Sequence, residues 1–149
     1  MTNETTVREG GCACGEVRFR ITAPILGMAV CYCRECQHAS GGGPNYVVLA
    51  LRSAFEVIKG EPRVHHTVAA SGNDIGRAFC GACGSPLWSA TTDGIPVMPV
   101  KAGALDDPSG LKPSSAVYTC EAQPWHLMHD AVQSFEKMPP RRLSHSRSD

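Results

Sequence analysis

The plainest pattern in the chain is strict alternation. From Glu16 to Thr22, Val17, Phe19 and Ile21 alternate with Glu16, Arg18, Arg20 and Thr22, the period of a strand with one face buried and the other in water. Shorter apolar runs predict strands at Met28 to Cys31, Tyr46 to Leu51, Phe55 to Ile58, Val64 to Ala69, Arg77 to Cys80, Leu87 to Thr91, Val97 to Ala102 and Ala116 to Cys120. Gly, Pro, Asn and Asp divide them. Helical periodicity is weak, and Arg34 to Ser40 and Leu127 to Phe135 predict no more than short turns of helix. The pattern therefore predicts an all-β fold of many short strands, with no internal repeat and no linker. The polar run from Pro139, with Arg141, Arg142 and Arg147, has almost nothing to bury and is expected to be a disordered tail.

Charge adds an exclusion. Lys plus Arg and Asp plus Glu number 14 each in 149 residues, so no global positive field gathers nucleic acid or anionic lipid, and neither is expected as a partner. No stretch reaches the ~20 apolar residues of a membrane span. Met1 to Gly10 has no apolar export region, and a cytoplasmic location is expected. In that reducing compartment the eight cysteines read as metal ligands or reactive thiols rather than disulfides.

Seven of them fall into clusters. Cys12 and Cys14 are two apart, which on an extended strand turns both thiolates to one face. Cys80 and Cys83 form a CxxC knuckle, Cys80-Gly81-Ala82-Cys83-Gly84, whose glycines permit a tight turn with amides aimed at the sulfurs. Together the two pairs make a closed tetrahedral set of the structural kind. Cys31, Cys33 and Cys36 place three thiolates in six residues. Three ligands with an open position are the arrangement of a catalytic metal, which polarises a carbonyl or lowers the pKa of a bound thiol. Chemistry between a thiol and an aldehyde suits such a centre. His38 can instead close this set as a fourth ligand, and Cys120 can be recruited, although on a strand it reads as an ordinary buried cysteine.

Other candidates are weaker. His65 and His66 face opposite ways along one strand, and His126 and His129 can share a helical face without making a metal motif. Ala39 to Asn45, rich in glycine, reads either as a flexible turn or as a loop admitting a ligand. It lacks the Lys and Ser/Thr of a phosphate loop.

Gly11-Cys12-Ala13-Cys14-Gly15 before the strand Val17 to Ile21, Cys31-x-Cys33-x-x-Cys36 with Ser40-Gly41 behind it, and Phe79-Cys80-Gly81-Ala82-Cys83-Gly84 with Leu87 stand in an order and spacing that resembles the glutathione-dependent formaldehyde-activating enzymes, whose domain also occurs in centromere protein V. Looser matches at Gly103 to Pro108, Pro113, Tyr118 and Pro124-Trp125 extend the similarity over about residues 8 to 138, the expected domain. The resemblance implies a single-domain β-tent with two zinc ions. Cys12, Cys14, Cys80 and Cys83 would hold a structural zinc, and Cys31, Cys33 and Cys36 a catalytic one. It further implies a carbon-sulfur lyase or synthase that joins formaldehyde to the thiol of glutathione. Arg34, Arg52, Arg77 and Lys101 are the candidate clamps for the carboxylates of such a substrate. Two readings of another class are a non-catalytic zinc module for a protein partner and a redox switch in which Cys31, Cys33 and Cys36 form disulfides.

Overall fold

The structure is a computed structural model that describes residues 7–69, 72–91, 94–130 and 132–139. Among them, strands run over Arg8–Gly11 (β1), Arg18–Ile21 (β2), Gly27–Cys31 (β3), Asn45–Leu51 (β4), Phe55–Lys59 (β5), Arg63–Val68 (β6), Asp74–Phe79 (β7), Pro86–Thr91 (β8), Val97–Lys101 (β9), Ser115–Val117 (β10) and Gln133–Ser134 (β11). One short helix, Arg34–Ala39 (α1), interrupts them. The small sheet has the order β1-β2-β5 and the large one β11-β10-β3-β4-β9-β8-β7-β6. The fold is all-β, as the alternation predicts. Most pairs are antiparallel, but β10 lies parallel to both β3 and β11. No helix is long and apolar enough to cross a membrane among the described residues.

The alternation in β2 explains how the sheets meet. Val17, Phe19 and Ile21 point inward and are essentially inaccessible to water. Phe19 stacks on Phe55 at 5.3 Å and meets the edge of Trp88 at 5.9 Å, and Val48, Ala50, Met98 and Val100 of the large sheet complete the core. The intervening arginines face outward, where Arg18 pairs with Asp106 and Arg20 with Glu9.

Three departures from the sequence pattern have local causes. The glycines of β1 hide it, since glycine is depleted in strands. At Gly10 a Cβ atom would sit 2.2 Å from the Ala104 carbonyl oxygen and 2.7 Å from the Phe19 ring, so only glycine allows β1 this close to the turn at 102–104. The strand predicted to run on to Cys120 stops at Val117. Tyr118 adopts a left-handed backbone (φ 55°) and 119–121 curl into a 3₁₀ turn. Cys120 is consequently exposed on a turn, not buried on a strand. Finally, no helix forms in the described part of 127–135. Gln133–Ser134 instead adds to the sheet edge, while side-chain bonds hold the loop before it. Of the predicted tail, all but Pro139 lies outside the described residues.

Phe19→Ala removes the ring that joins the two sheets and should destabilise the protein by about 3–5 kcal/mol. Urea unfolding followed by tryptophan fluorescence checks this, and a loss below about 1 kcal/mol would contradict the packing described.

Candidate metal centres

Two turns, one from each sheet, bring the first cluster together. Cys12 and Cys14 lie in the β1–β2 turn rather than on an extended strand. That turn is closed by Gly15 N–H donating to the Cys12 carbonyl (3.2 Å) and Cys12 N–H to that of Val17 (3.1 Å). Cys80 and Cys83 lie in the β7–β8 turn, where Gly84 N–H donates to the Cys80 carbonyl at 2.8 Å. Ser85 ties the turns together, its Oγ accepting from Ala13 N–H at 3.0 Å and lying 3.2 Å from Cys83 Sγ. The Ser85 contacts hold the Cys83 thiol down to about 6.

All four sulfurs lie within 4.8 Å of one another, with Cys12–Cys14 at 3.6 Å and Cys14–Cys80 at 3.7 Å. These separations rule out bonded disulfides, and all four cysteines are free. They match a tetrahedral thiolate cage, in which metal–sulfur bonds of about 2.3 Å set the sulfurs about 3.8 Å apart. Val17 and Ala82 N–H groups point at Cys12 and Cys80 Sγ, at 3.2 and 3.4 Å, as expected around thiolates that carry charge. The residues fit a metal ion.

The second cluster grows from the end of β3. Cys31 is its last residue, Cys33 caps α1 with its sulfur accepting from Cys36 N–H at 3.4 Å, and Cys36 lies in α1. Their three sulfurs also lie within 4.8 Å of one another, and no fourth His, Cys, Asp or Glu joins them among the described residues. His38 is exposed on α1 and Cys120 on its turn, so neither closes the set. This cluster too can hold a metal.

Its surroundings are polar and cationic. Strand register places Cys31 opposite Asn45, Lys101 opposite Val47, and Arg77 opposite Ser89, so Asn45 and Lys101 share a sheet face. Buried Asn45 donates from Nδ2 to Cys36 Sγ (3.6 Å) and accepts at Oδ1 from Lys101 Nζ (2.5 Å). Bonds from the Cys31 and Cys33 thiols, with the nearby Arg77 guanidinium and the Asn45 amide, hold Cys36 far below the ordinary thiol range. The same sulfur contacts and burial push Cys31 up. Burial pushes Lys101 down.

Gln37, which the sequence does not single out, and several of the weaker candidates support this face. Gln37, almost wholly buried, donates from Nε2 to the carbonyls of Tyr32 (2.7 Å) and Glu121 (2.9 Å), and its Oε1 accepts from Arg34. Tyr32 points away from the sulfurs into the core and donates its hydroxyl to the Leu127 carbonyl at 2.8 Å. His126 and His129 share no helix. His126 Nδ1 accepts from Gln123 N–H, which leaves Nε2–H to donate to Gly42 O at 2.8 Å. His129 bonds the Tyr46 hydroxyl. The glycine-rich loop is therefore pinned in place, and its Ser40, Pro44 and Asn45 line a cleft of about 610 Å³ together with Cys12, Arg18, Tyr46, Lys101 and Asp106. His65 and Arg77 line a separate recess beside His38, and both histidines of β6 are exposed.

Asn45→Ala leaves Cys36 Sγ without its amide donor. Metal affinity of the three-cysteine cluster should fall about 10- to 100-fold while the four-cysteine cluster keeps its ion, as measured by chelator competition. Unchanged affinity at both would contradict this role.

Three comparisons place the chain among known proteins. The family model for "Glutathione-dependent formaldehyde-activating enzyme" matches residues 7–121. A curated Halomonas elongata protein, which carries that enzyme's name as a provisional assignment, is 34% identical over 87 residues. That match covers 54% of this chain and 54% of the relative, so the chain spans about half the length of the curated relative it matches. A crystal structure of a Rhodobacter sphaeroides protein superposes with a TM-score of 0.53 at 19% identity, over 70% of this chain and 91% of the other, a likeness of fold alone. With two cysteine clusters folded as its spacing anticipates and a family model covering most of its length, the chain belongs to the glutathione-dependent formaldehyde-activating enzyme family.

Proposed function

We propose that the protein is a zinc-dependent carbon-sulfur lyase or synthase acting on thiol adducts of small aldehydes. In this reading Cys12, Cys14, Cys80 and Cys83 hold a structural zinc, and Cys31, Cys33 and Cys36 a catalytic one. The observation that carries it is the contrast between the clusters. One is complete with four sulfurs, and the other has three sulfurs and no fourth described ligand, while Asn45, which bonds its Cys36 sulfur, stands in the wall of a large cleft that Cys12 of the first cluster also lines. Clefts of this size suit a small organic substrate, and the family name supplies glutathione and formaldehyde as its class.

In the synthetic direction the thiol sulfur gives an electron pair to the carbonyl carbon, the C=O π pair moves to oxygen, and the thiol proton ends on that oxygen. The product is an S-hydroxymethyl thioether, and cleavage reverses each change. A zinc ion at the three sulfurs would supply Lewis acidity, lowering the pKa of a bound thiol or polarising the aldehyde. The protein's own residues prepare the ground. Asn45 and the cations Arg77 and Lys101 stabilise negative charge at the sulfurs, and Gln37 and Tyr32 fix the backbone carrying Cys33. Tyr46 and the pinned glycine-rich loop wall the cleft.

Two single variants separate the roles. Cys33→Ala should abolish adduct formation from glutathione and formaldehyde, corrected for the spontaneous reaction, yet leave the circular dichroism spectrum and thermal transition near those of the wild type. Cys80→Ala should unfold or strongly destabilise the domain, because binding of a structural metal is folding energy. Equal loss of folding from both would sink the division.

A further inference from the structure

Tyr118 packs against the three-cysteine cluster with a backbone that its own side chain disfavours. Among the described residues it is the one non-glycine residue with a positive φ (55°), an unfavourable conformation for a residue that carries a Cβ atom. The register shows what this changes. In the parallel pairing of β10 with β3, Ala116 stands opposite Val30 and Val117 opposite Cys31. Alternation would turn residue 118 to the face of Ala116, Val30 and Tyr32. Tyr118 instead packs with Val117, Cys33 and Cys36, and against Cys31. The left-handed turn therefore carries a large side chain across to the sulfur face.

The hydroxyl that arrives there is unpaired. Of the three tyrosines in the chain, Tyr32 bonds the Leu127 carbonyl and Tyr46 bonds His129. The Tyr118 hydroxyl has no hydrogen-bond partner among the described residues, where no buried side-chain oxygen lacks one. It consequently reaches the surface, at the tip of a residue that is only 7% exposed. Burial, and after it the charges of Cys31 and Cys33, push the phenol up, so it stands within electrostatic reach of both sulfurs. The cations that the sequence offers each have a partner. Arg77 faces Glu35 at 3.9 Å in the separate recess with His38 and His65, Arg34 bonds Gln37, Arg52 bonds the Ile95 carbonyl, and Lys101 bonds Asn45.

Resting on the reaction class proposed above, we infer that Tyr118 is a catalytic residue whose hydroxyl donates a hydrogen bond to the aldehyde oxygen as the carbon-sulfur bond forms beside the three-cysteine cluster. The thiol sulfur's electron pair makes that bond, the C=O π pair moves to oxygen, and the thiol proton completes the new hydroxyl. Tyr118 gives up no proton and ends the step as it began. Its donor faces an oxygen whose negative charge grows only during the reaction, so the bond is strongest in the transition state. Phenylalanine would fill the same space beside Cys33 and Cys36 and leave that oxygen unsupported.

Tyr118→Phe keeps the ring and removes the donor. Titration calorimetry on the metal-loaded protein with S-(2-hydroxyethyl)glutathione and its isostere S-propylglutathione, neither of which reacts, tests the donor apart from catalysis. The ratio of the two affinities should shift against the hydroxyl-bearing thioether by about 2- to 10-fold in Tyr118→Phe, the worth of one neutral hydrogen bond. Affinity for the propyl thioether, metal content and the thermal transition should stay at wild-type values. In the adduct assay kcat should fall about 100-fold, as for the loss of one oxyanion donor, with KM for the thiol unchanged. An unchanged affinity ratio, binding of neither thioether by the wild type, or loss of metal from Tyr118→Phe would overturn the assignment. The two proposals fail separately. Adduct formation that survives Tyr118→Phe intact keeps the reaction and removes this role, whereas a Tyr118-dependent affinity ratio without adduct formation by the wild type keeps the donor and removes the reaction.

Discussion

Four thiolates crowded within 4.8 Å repel one another, and they come from turns belonging to two different sheets. A cation bound among them would reverse the sign of that interaction and turn the point of greatest repulsion into a clasp between the sheets. The hydrophobic contact of Phe19 with Phe55 and Trp88 lies behind the clasp, and Gly10 permits the close approach of β1 that both require. Once β7 and β8 are tied to the small sheet, the register running back through β9 and β4 to β3 is fixed as well, and with it the places of Lys101, Asn45 and Cys31.

The two clusters use the same sulfur chemistry in different settings. Around the first, backbone amides and Ser85 satisfy the sulfurs from the cluster's own turns, which suits a closed and permanent site. Around the second, the supporting groups come from distant strands, and they are side chains: an amide, a lysine and an arginine. Polar groups of this kind are expensive to bury unless satisfied. Two of them, Asn45 and Lys101, also line the cleft.

Cysteine spacing makes the two sulfur clusters legible in the amino-acid sequence itself, because CxC, CxxC and CxCxxC limit which sulfurs can converge. Alternation likewise exposes β2, and short apolar runs most of the other strands. The rest depends on contacts remote in sequence. β1 is hidden because its glycines answer to Ala104 and Phe19 rather than to strand propensity. The left-handed Tyr118 ends a strand that its apolar pattern would continue, moving Cys120 to the surface. His126 and His129, spaced as if on a helix, are instead braces for the loops at Gly42 and Tyr46. No local pattern marks Gln37 as a buried brace, since its partners include the Glu121 carbonyl 84 positions away.

X-ray absorption at the edge of the bound metal, with metal content per chain, tests most directly whether one fold holds two unlike thiolate centres. A four-sulfur site and a three-sulfur site completed by one lighter atom give two metals per chain and an average of about 3.5 sulfurs per metal at about 2.3 Å. One metal per chain with a pure four-sulfur shell would mean that Cys31, Cys33 and Cys36 hold no ion, and the centre proposed for the chemistry would not exist.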